Sequence, residues 1–118
     1  INNGKKRNAL SYGLLSELKD VLEKIKTDSE NDSIIILQSE GNVFSSGHDL
    51  KELMSFDEEN KKKTFDICSD VMMLISNHRS IFISQVQGLA TAAGLQLAAT
   101  CDICICSSKA EFATPGVK

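Results

Sequence analysis

A layered α/β fold, with helices packed on a mostly parallel sheet, is predicted by three features of the sequence. Helical and extended segments alternate along the chain. The extended ones, Ile34 to Leu37, Ile81 to Val86 and Asp102 to Cys106, are short and largely apolar, and the β-branched run Ile34 to Leu37 is of the kind buried on both faces of a parallel sheet. Third, 42% hydrophobic and 25% charged residues over 118 residues are globular proportions, enough for one domain with a real core. Periodicity alone points to a doubly wound sheet.

The elements follow in order. Leu14, Leu15, Leu18, Val21, Leu22 and Ile25 recur at steps of three and four, with Glu17, Lys19, Asp20 and Glu23 facing away, which predicts an amphipathic helix from Ser11 to Lys26 capped by Ser11. After a polar connection, Ile34 to Leu37 reads as a strand. Residues 39–49 (SEGNVFSSGHD) combine Gly, Ser, Asn and Asp as a sharply turning loop, where function often resides. A second helix is expected from about Asp57 to Asn77, with an acidic first turn and Phe65, Cys68, Val71, Met72 and Ile75 along one side; Lys61, Lys62 and Lys63 are its solvated face. His78 falls at its end, as a surface residue suited to the helix dipole. The strand Ile81 to Val86 ends before Gly88, Ala92 to Thr100 reads as a tightly packed small-residue helix, and Asp102 to Cys106 as a further strand. No linker, internal repeat or second domain interrupts residues 1–118.

Several classes of function are excluded. A formal charge of -3 is the opposite of what a phosphate-backbone binder needs, so nucleic acid is not an expected partner. The longest apolar run is interrupted by Thr100 and Asp102 and is too short to span a bilayer. Neither GxGxxG nor GxxxxGK[ST] is present. Cys68, Cys101, Cys104 and Cys106 lie in predicted helices and strands and read as reduced structural thiols; no metal site is expected, since His48 and His78 supply no second ligand cluster. A first residue Ile1 rather than Met, and a Pro-Gly pair just before Lys118, mark the chain as an expected fragment, with any targeting peptide upstream.

Residues 5–10 (KKRNAL), 43–52 (VFSSGHDLKE) and 87–103 (QGLATAAGLQLAATCDI), followed by 110–117 (AEFATPGV), together resemble the enoyl-CoA hydratase/isomerase, or crotonase, family. Each segment alone is a weak signal, whereas their order and spacing span almost the whole chain. The resemblance implies a crotonase-like spiral of ββα units, of which this would be the N-terminal part, completed by a C-terminal helical region that builds a homotrimer or hexamer. It also implies a mitochondrial protein of fatty-acid metabolism that binds acyl-CoA, with coenzyme A as part of the substrate and no bound cofactor.

By the same resemblance, the oxyanion hole is made by the backbone N–H groups of His48 and Ala93. Lys5, Lys6, Arg7, Asp49, Leu50 and Lys51 line the coenzyme A site. The positions of the two hydratase glutamates are held by Gln96 and Gly116, neither of which can move a proton near neutral pH. The expectation is therefore a thioester binder with little hydratase activity; the alternatives are isomerase, thioesterase or decarboxylase chemistry, or a non-catalytic subunit. The His48 side chain is expected to point outward, its N–H alone being used. Asp49 and Asp102 read as turn or cap residues.

Overall fold

A computed structural model of the chain describes residues 1–28 and 33–115. The first helix, α1 (Tyr12–Asp28), starts where expected, with the Ser11 Oγ accepting from the Leu14 N–H at 3.2 Å. Leu15 and Leu22 are its buried positions, while Val21 is half exposed. The chain then runs through β1 (Ile34–Gln38), β2 (Val43–Ser45), α2 (Leu50–Ser55), α3 (Glu58–Ser76), β3 (Ile81–Val86), β4 (Leu89–Thr91), α4 (Ala93–Thr100), β5 (Ile103–Cys106) and β6 (Glu111–Ala113).

A long strand, a short strand and a helical stretch thus recur. The long strands form one parallel sheet in the order β1-β3-β5, and the short ones a second in the order β2-β4-β6. Each ββα unit adds one strand to each sheet, so the chain climbs as a spiral. This corrects the single doubly wound sheet that periodicity favours. Three-residue strands such as β2, β4 and β6 are too short to register an alternation, and they lie in stretches rich in Gly, Ser and Ala.

Each unit turns its corner at the same height, and the corners are stacked. An added Cβ on Gly88 would lie 2.0 Å from the Asn42 carbonyl oxygen, so only glycine fits there. The Gln87 amide Nε2 donates to the carbonyls of Ser39 (3.0 Å) and Gly41 (2.9 Å), and the Ser107 Oγ donates to the Gln87 carbonyl (2.9 Å). Residues from three successive corners are tied in one ladder.

The core gathers Leu10, Leu15, Leu22 and Leu37 with Phe44, Phe82, Val71, Ile75, Val86 and Leu97. Burying each such side chain contributes about 1.5–3 kcal/mol. α3 buries Thr64, Cys68, Val71 and Ile75. Phe65, expected on that side, is about half exposed. Lys61, Lys62 and Lys63 pair with Glu58, Asp66 and Glu59 along the helix surface. Strand β1 is not buried on both faces, because Ile34 (67% exposed) and Ile36 lie beside Ile81, Ile103 and Ile105 on an uncovered apolar face.

His78 is also more enclosed than expected. It sits just past α3 with its ring 5.3 Å from Phe82, and its Nδ1 accepts from the Ser80 N–H at 3.0 Å, closing the turn into β3. Asp102 lies at the bend after α4 and, rather than capping a helix, its carboxylate accepts from the Phe82 N–H at 2.7 Å, tying that bend to the start of β3. All four cysteines are free. Burial pushes the Cys68 thiol up and that of Cys101 up to about 11. Among the described residues no cluster of metal-donor side chains forms, and no helix is long and apolar enough to cross a membrane.

Candidate functional site

The site begins in the first loop. A single 3-10 turn, Gly4–Lys6, is followed by Arg7 and Asn8 with φ of 55° and 52°. Asparagine tolerates that left-handed conformation better than most residues. Asn8 is 1% exposed and fully used: Nδ2 donates to the carbonyls of Glu40 (2.8 Å) and Val43 (2.7 Å), and Oδ1 accepts from the Asn3 N–H (2.8 Å). It binds the loop to the segment entering β2. Beyond it the Ser46 N–H donates to the Arg7 carbonyl, the Leu10 N–H to Gly47, and the Asp49 N–H to Leu10. The first loop and the turn after β2 therefore run side by side.

That turn is pressed onto the start of α4. Gly47 has φ +83°, and a Cβ on it would lie 3.0 Å from the Ala92 Cβ, 3.1 Å from the Thr91 carbonyl oxygen and 3.4 Å from the Ala93 nitrogen. A Cβ on Gly94 would collide with Ser45 at 2.6 Å, so glycine permits close approach at both contacts. The Ser45 hydroxyl is fully buried, donating to the Asn8 carbonyl (2.9 Å) and accepting from the Gly47 N–H (3.2 Å). On the other side, Ala92 holds φ 51° and ψ −125°, and its N–H donates to the Ala113 carbonyl at 3.1 Å. Ala93, the first residue of α4, carries one of the N–H groups for which a helix offers no acceptor of its own. His48 directly follows Gly47, so its amide and that of Ala93 belong to two segments in van der Waals contact.

Asp49 caps α2, with its Oδ1 accepting from the Glu52 N–H at 3.2 Å, and its Oδ2 meets the Lys6 ammonium at 2.8 Å. That lysine, then its burial-opposed hydrogen bonds to α2 amides, hold the Asp49 carboxyl below the usual carboxylate range. The same pair raises Lys6. Lys5, Lys6, Arg7, Asp49, Leu50 and Lys51 line one cleft of about 510 Å³, together with Ala9, Ser46 and His48. All six residues expected from the sequence at the coenzyme A site thus come together, joined to the turn that carries His48.

The His48 side chain departs from its expectation. Its ring is half-buried rather than turned out to solvent, lies edge-on to Phe65 with centroids 4.9 Å apart, and has Nδ1 shut away from water. Burial pushes its pKa below the ordinary value, partly opposed by the Leu10 carbonyl beside it. Gln96 lies one turn into α4 with an exposed side chain. Gly116 falls outside the described residues. Sequence reasoning passed over Asn8, Ser45 and Phe65. A signal existed for Asn8, since an asparagine after a basic run, just ahead of a capped helix, suits a left-handed turn.

A family model described as enoyl-CoA hydratase/isomerase matches residues 1–118. The mitochondrial enoyl-CoA hydratase domain-containing protein 3 of Rattus norvegicus is 50% identical over 119 residues, which cover 99% of this chain and 39% of that protein. Among solved structures, the human enoyl-CoA hydratase domain-containing protein 3 aligns with a TM-score of 0.83 at 48% identity, over 98% of this chain and 47% of that one. The enoyl-CoA hydratase of Mycobacterium smegmatis aligns with a TM-score of 0.90 at 37% identity, over 96% and 44%. The chain therefore spans less than half the length of these relatives.

Proposed function

The chain belongs to the enoyl-CoA hydratase/isomerase family, and from that premise we propose that it binds acyl-CoA thioesters in an oxyanion hole made by the backbone amides of His48 and Ala93. The observation that carries this reading is the seating of Gly47 on Thr91, Ala92 and Ala93. It brings an amide from the first ββα unit beside the N-terminus of α4 in the second. On either side of His48, the Gly47 and Asp49 amides are committed to the Ser45 Oγ and the Leu10 carbonyl. When a thioester forms an enolate, negative charge gathers on its carbonyl oxygen. Two N–H donors and the partial positive charge of a helix end stabilise that charge, and losing one donor typically costs ~100- to 1000-fold in rate.

Coenzyme A would run along the cleft of Lys5, Lys6, Arg7, Asp49, Leu50 and Lys51, whose basic side chains suit its phosphates. Asp49, paired with Lys6, anchors α2 beside the first loop rather than transferring a proton. Hydration of a double bond needs a base for the water and an acid for the α-carbon, each worth ~100- to 10,000-fold. Gln96 offers neither, and glycine at 116 carries no side chain. Binding and oxyanion stabilisation therefore remain, while hydration of crotonyl-CoA is at least ~1000-fold slower than in an ordinary hydratase. The mitochondrial naming of the rat relative supports the same compartment.

Calorimetric titration of the full-length protein with acetoacetyl-CoA, an enolate-forming ligand, tests the reading. Saturable binding is expected. No heat at millimolar ligand overturns it, and a crotonyl-CoA hydration rate within tenfold of a normal hydratase overturns the loss of proton transfer.

A further inference from the structure

His48 carries two roles on one Cα. Its amide is a proposed donor to the thioester oxygen, and its ring is the wedge between the turn and α3. The ring meets Phe65 edge-on at 4.9 Å, and its Nδ1 is enclosed with no hydrogen-bond partner among the described residues. A neutral imidazole tolerates this seat, since one ring nitrogen needs no proton. An imidazolium does not, because both nitrogens then carry N–H groups, and a buried charged donor left unpaired costs more than a neutral one.

Among the described residues no free carboxylate faces the ring; the Leu10 carbonyl beside it favours the protonated form, but less than burial disfavours it. From the first loop, Lys5, Lys6 and Arg7 line the same cleft, and from α2 so does Lys51. The one carboxylate there, Asp49, already holds Lys6 at 2.8 Å, and Glu52 accepts from the Tyr12 N–H at 2.8 Å. α3 presents Phe65 itself, with Lys61 and Lys62 paired to Glu58 and Asp66. α4 and β4 present Ala93, Ala92 and Thr91 to the turn, none of them ionisable. A protonated ring would add a cation to a basic cleft and would have to leave Phe65 to be hydrated.

We infer that His48 is a positioning residue that makes thioester capture conditional on a neutral imidazole: acidification unseats the ring from Phe65, loosens the turn from Gly47 to Asp49, and weakens ligand binding. This rests on the oxyanion role assigned to the His48 amide. The sign follows from burial, which disfavours the charged form. The neutral, seated state prevails at and above the ordinary histidine value near 6.5 and is lost only as pH falls through the depressed value of the seated ring.

The test compares the full-length protein with its His48→Gln variant, titrating acetoacetyl-CoA calorimetrically from pH 8 to pH 5. Phosphate ionisation of the ligand is common to both and cancels. The ratio of variant to wild-type affinity is expected to rise at least ~3-fold between pH 7.5 and pH 5, and a flat or falling ratio overturns the inference. Absence of binding by the wild type at every pH overturns the proposed function instead. A ligand-free NMR titration then decides the present inference by itself. Proton uptake by the His48 ring should displace the Phe65 resonances and the amides of Gly47, His48 and Asp49 together. A ring that titrates at 6.5 or above with those signals unmoved sinks it. Far-UV circular dichroism at both pH limits separates local unseating from unfolding.

Discussion

Two glycines with the same backbone angle allow the contact that builds the site to be isolated. Gly41 and Gly47 both have φ +83°, so an alanine at either sits at the same positive φ, a strain of about 1–2 kcal/mol, and stiffens the unfolded chain by a similar ~0.4–1 kcal/mol. Their surroundings differ. Nothing lies within 4 Å of a Cβ on Gly41, whereas one on Gly47 meets the Ala92 Cβ at 3.0 Å and the Thr91 carbonyl at 3.1 Å. Neither neighbour is the end of a flexible side chain. Overpacking of this kind costs about 1–3 kcal/mol, so Gly47→Ala should destabilise by that much more than Gly41→Ala. Urea unfolding of both full-length variants, followed by circular dichroism, measures the difference with the shared terms removed. The new methyl would also sit 3.4 Å from the Ala93 nitrogen, crowding an oxygen that accepts from that amide at ~2.9 Å. Acetoacetyl-CoA affinity should therefore fall at least ~10-fold in Gly47→Ala and stay within ~2-fold in Gly41→Ala. Equal losses of stability in the two variants, with equal affinities, would refute the close packing of the turn on α4.

Asn8→Ala removes three part-buried hydrogen bonds of a buried side chain and places a poorly suited residue at φ 52°, so a loss above ~3 kcal/mol in urea unfolding is expected; a loss under ~1 kcal/mol would mean the loop is held otherwise. The lowered Asp49 carboxyl contributes stability that is present above about pH 3.9 and disappears as pH falls through its depressed value, so Asp49→Asn should flatten the acid limb of the stability profile, and an unchanged limb contradicts the pairing with Lys6. Gln96→Glu alone should leave crotonyl-CoA hydration slow, while adding Gly116→Glu should raise it by more than the product of the single changes. Near-normal hydration from the single change would show that another group supplies the second proton.

What was legible in the sequence divides along physical lines. The helices α1 and α3 and the strands β1, β3 and β5 carry periodic or continuous apolar patterns long enough to read, and each is found within a residue or two of its expected place, although β1 and α3 leave Ile34, Ile36 and Phe65 uncovered. The short strands and α2 carry no such pattern, because their conformation is set by stacking on the neighbouring corner rather than by their own residues. The cleft proposed for coenzyme A follows from no local pattern: a surface run such as Lys5 to Arg7 has no intrinsic signature until Asn8 and Ser46 fold it against the turn at Gly47, and only the family resemblance grouped it with Asp49, Leu50 and Lys51. The seat of the His48 ring was not legible, since it depends on Phe65, 17 positions away, across a contact that no local pattern encodes.

The spiral itself explains why the proposed donors meet. His48 follows the short strand of one ββα unit and Ala93 that of the next, and the two strands are hydrogen-bonded neighbours, Val43 to Leu89 and Ser45 to Ala90. Two amides at equivalent heights in adjacent units must then lie side by side, provided the chain leaves both strands in the same direction. The register shift between Val43 and Ser45, together with the positive φ of Gly47 and Ala92, turns both exits toward α4. The cost is local, since an alanine at φ 51° and ψ −125° carries about 1–3 kcal/mol of strain. It persists because the Ala92 N–H is held by Ala113 and its carbonyl by the Gln96 N–H. The third unit thus fixes the second, and through the corner ladder of Gln87 and Ser107 the second fixes the first. A site built in this way depends on the sheet β2-β4-β6 as much as on any residue that touches the ligand.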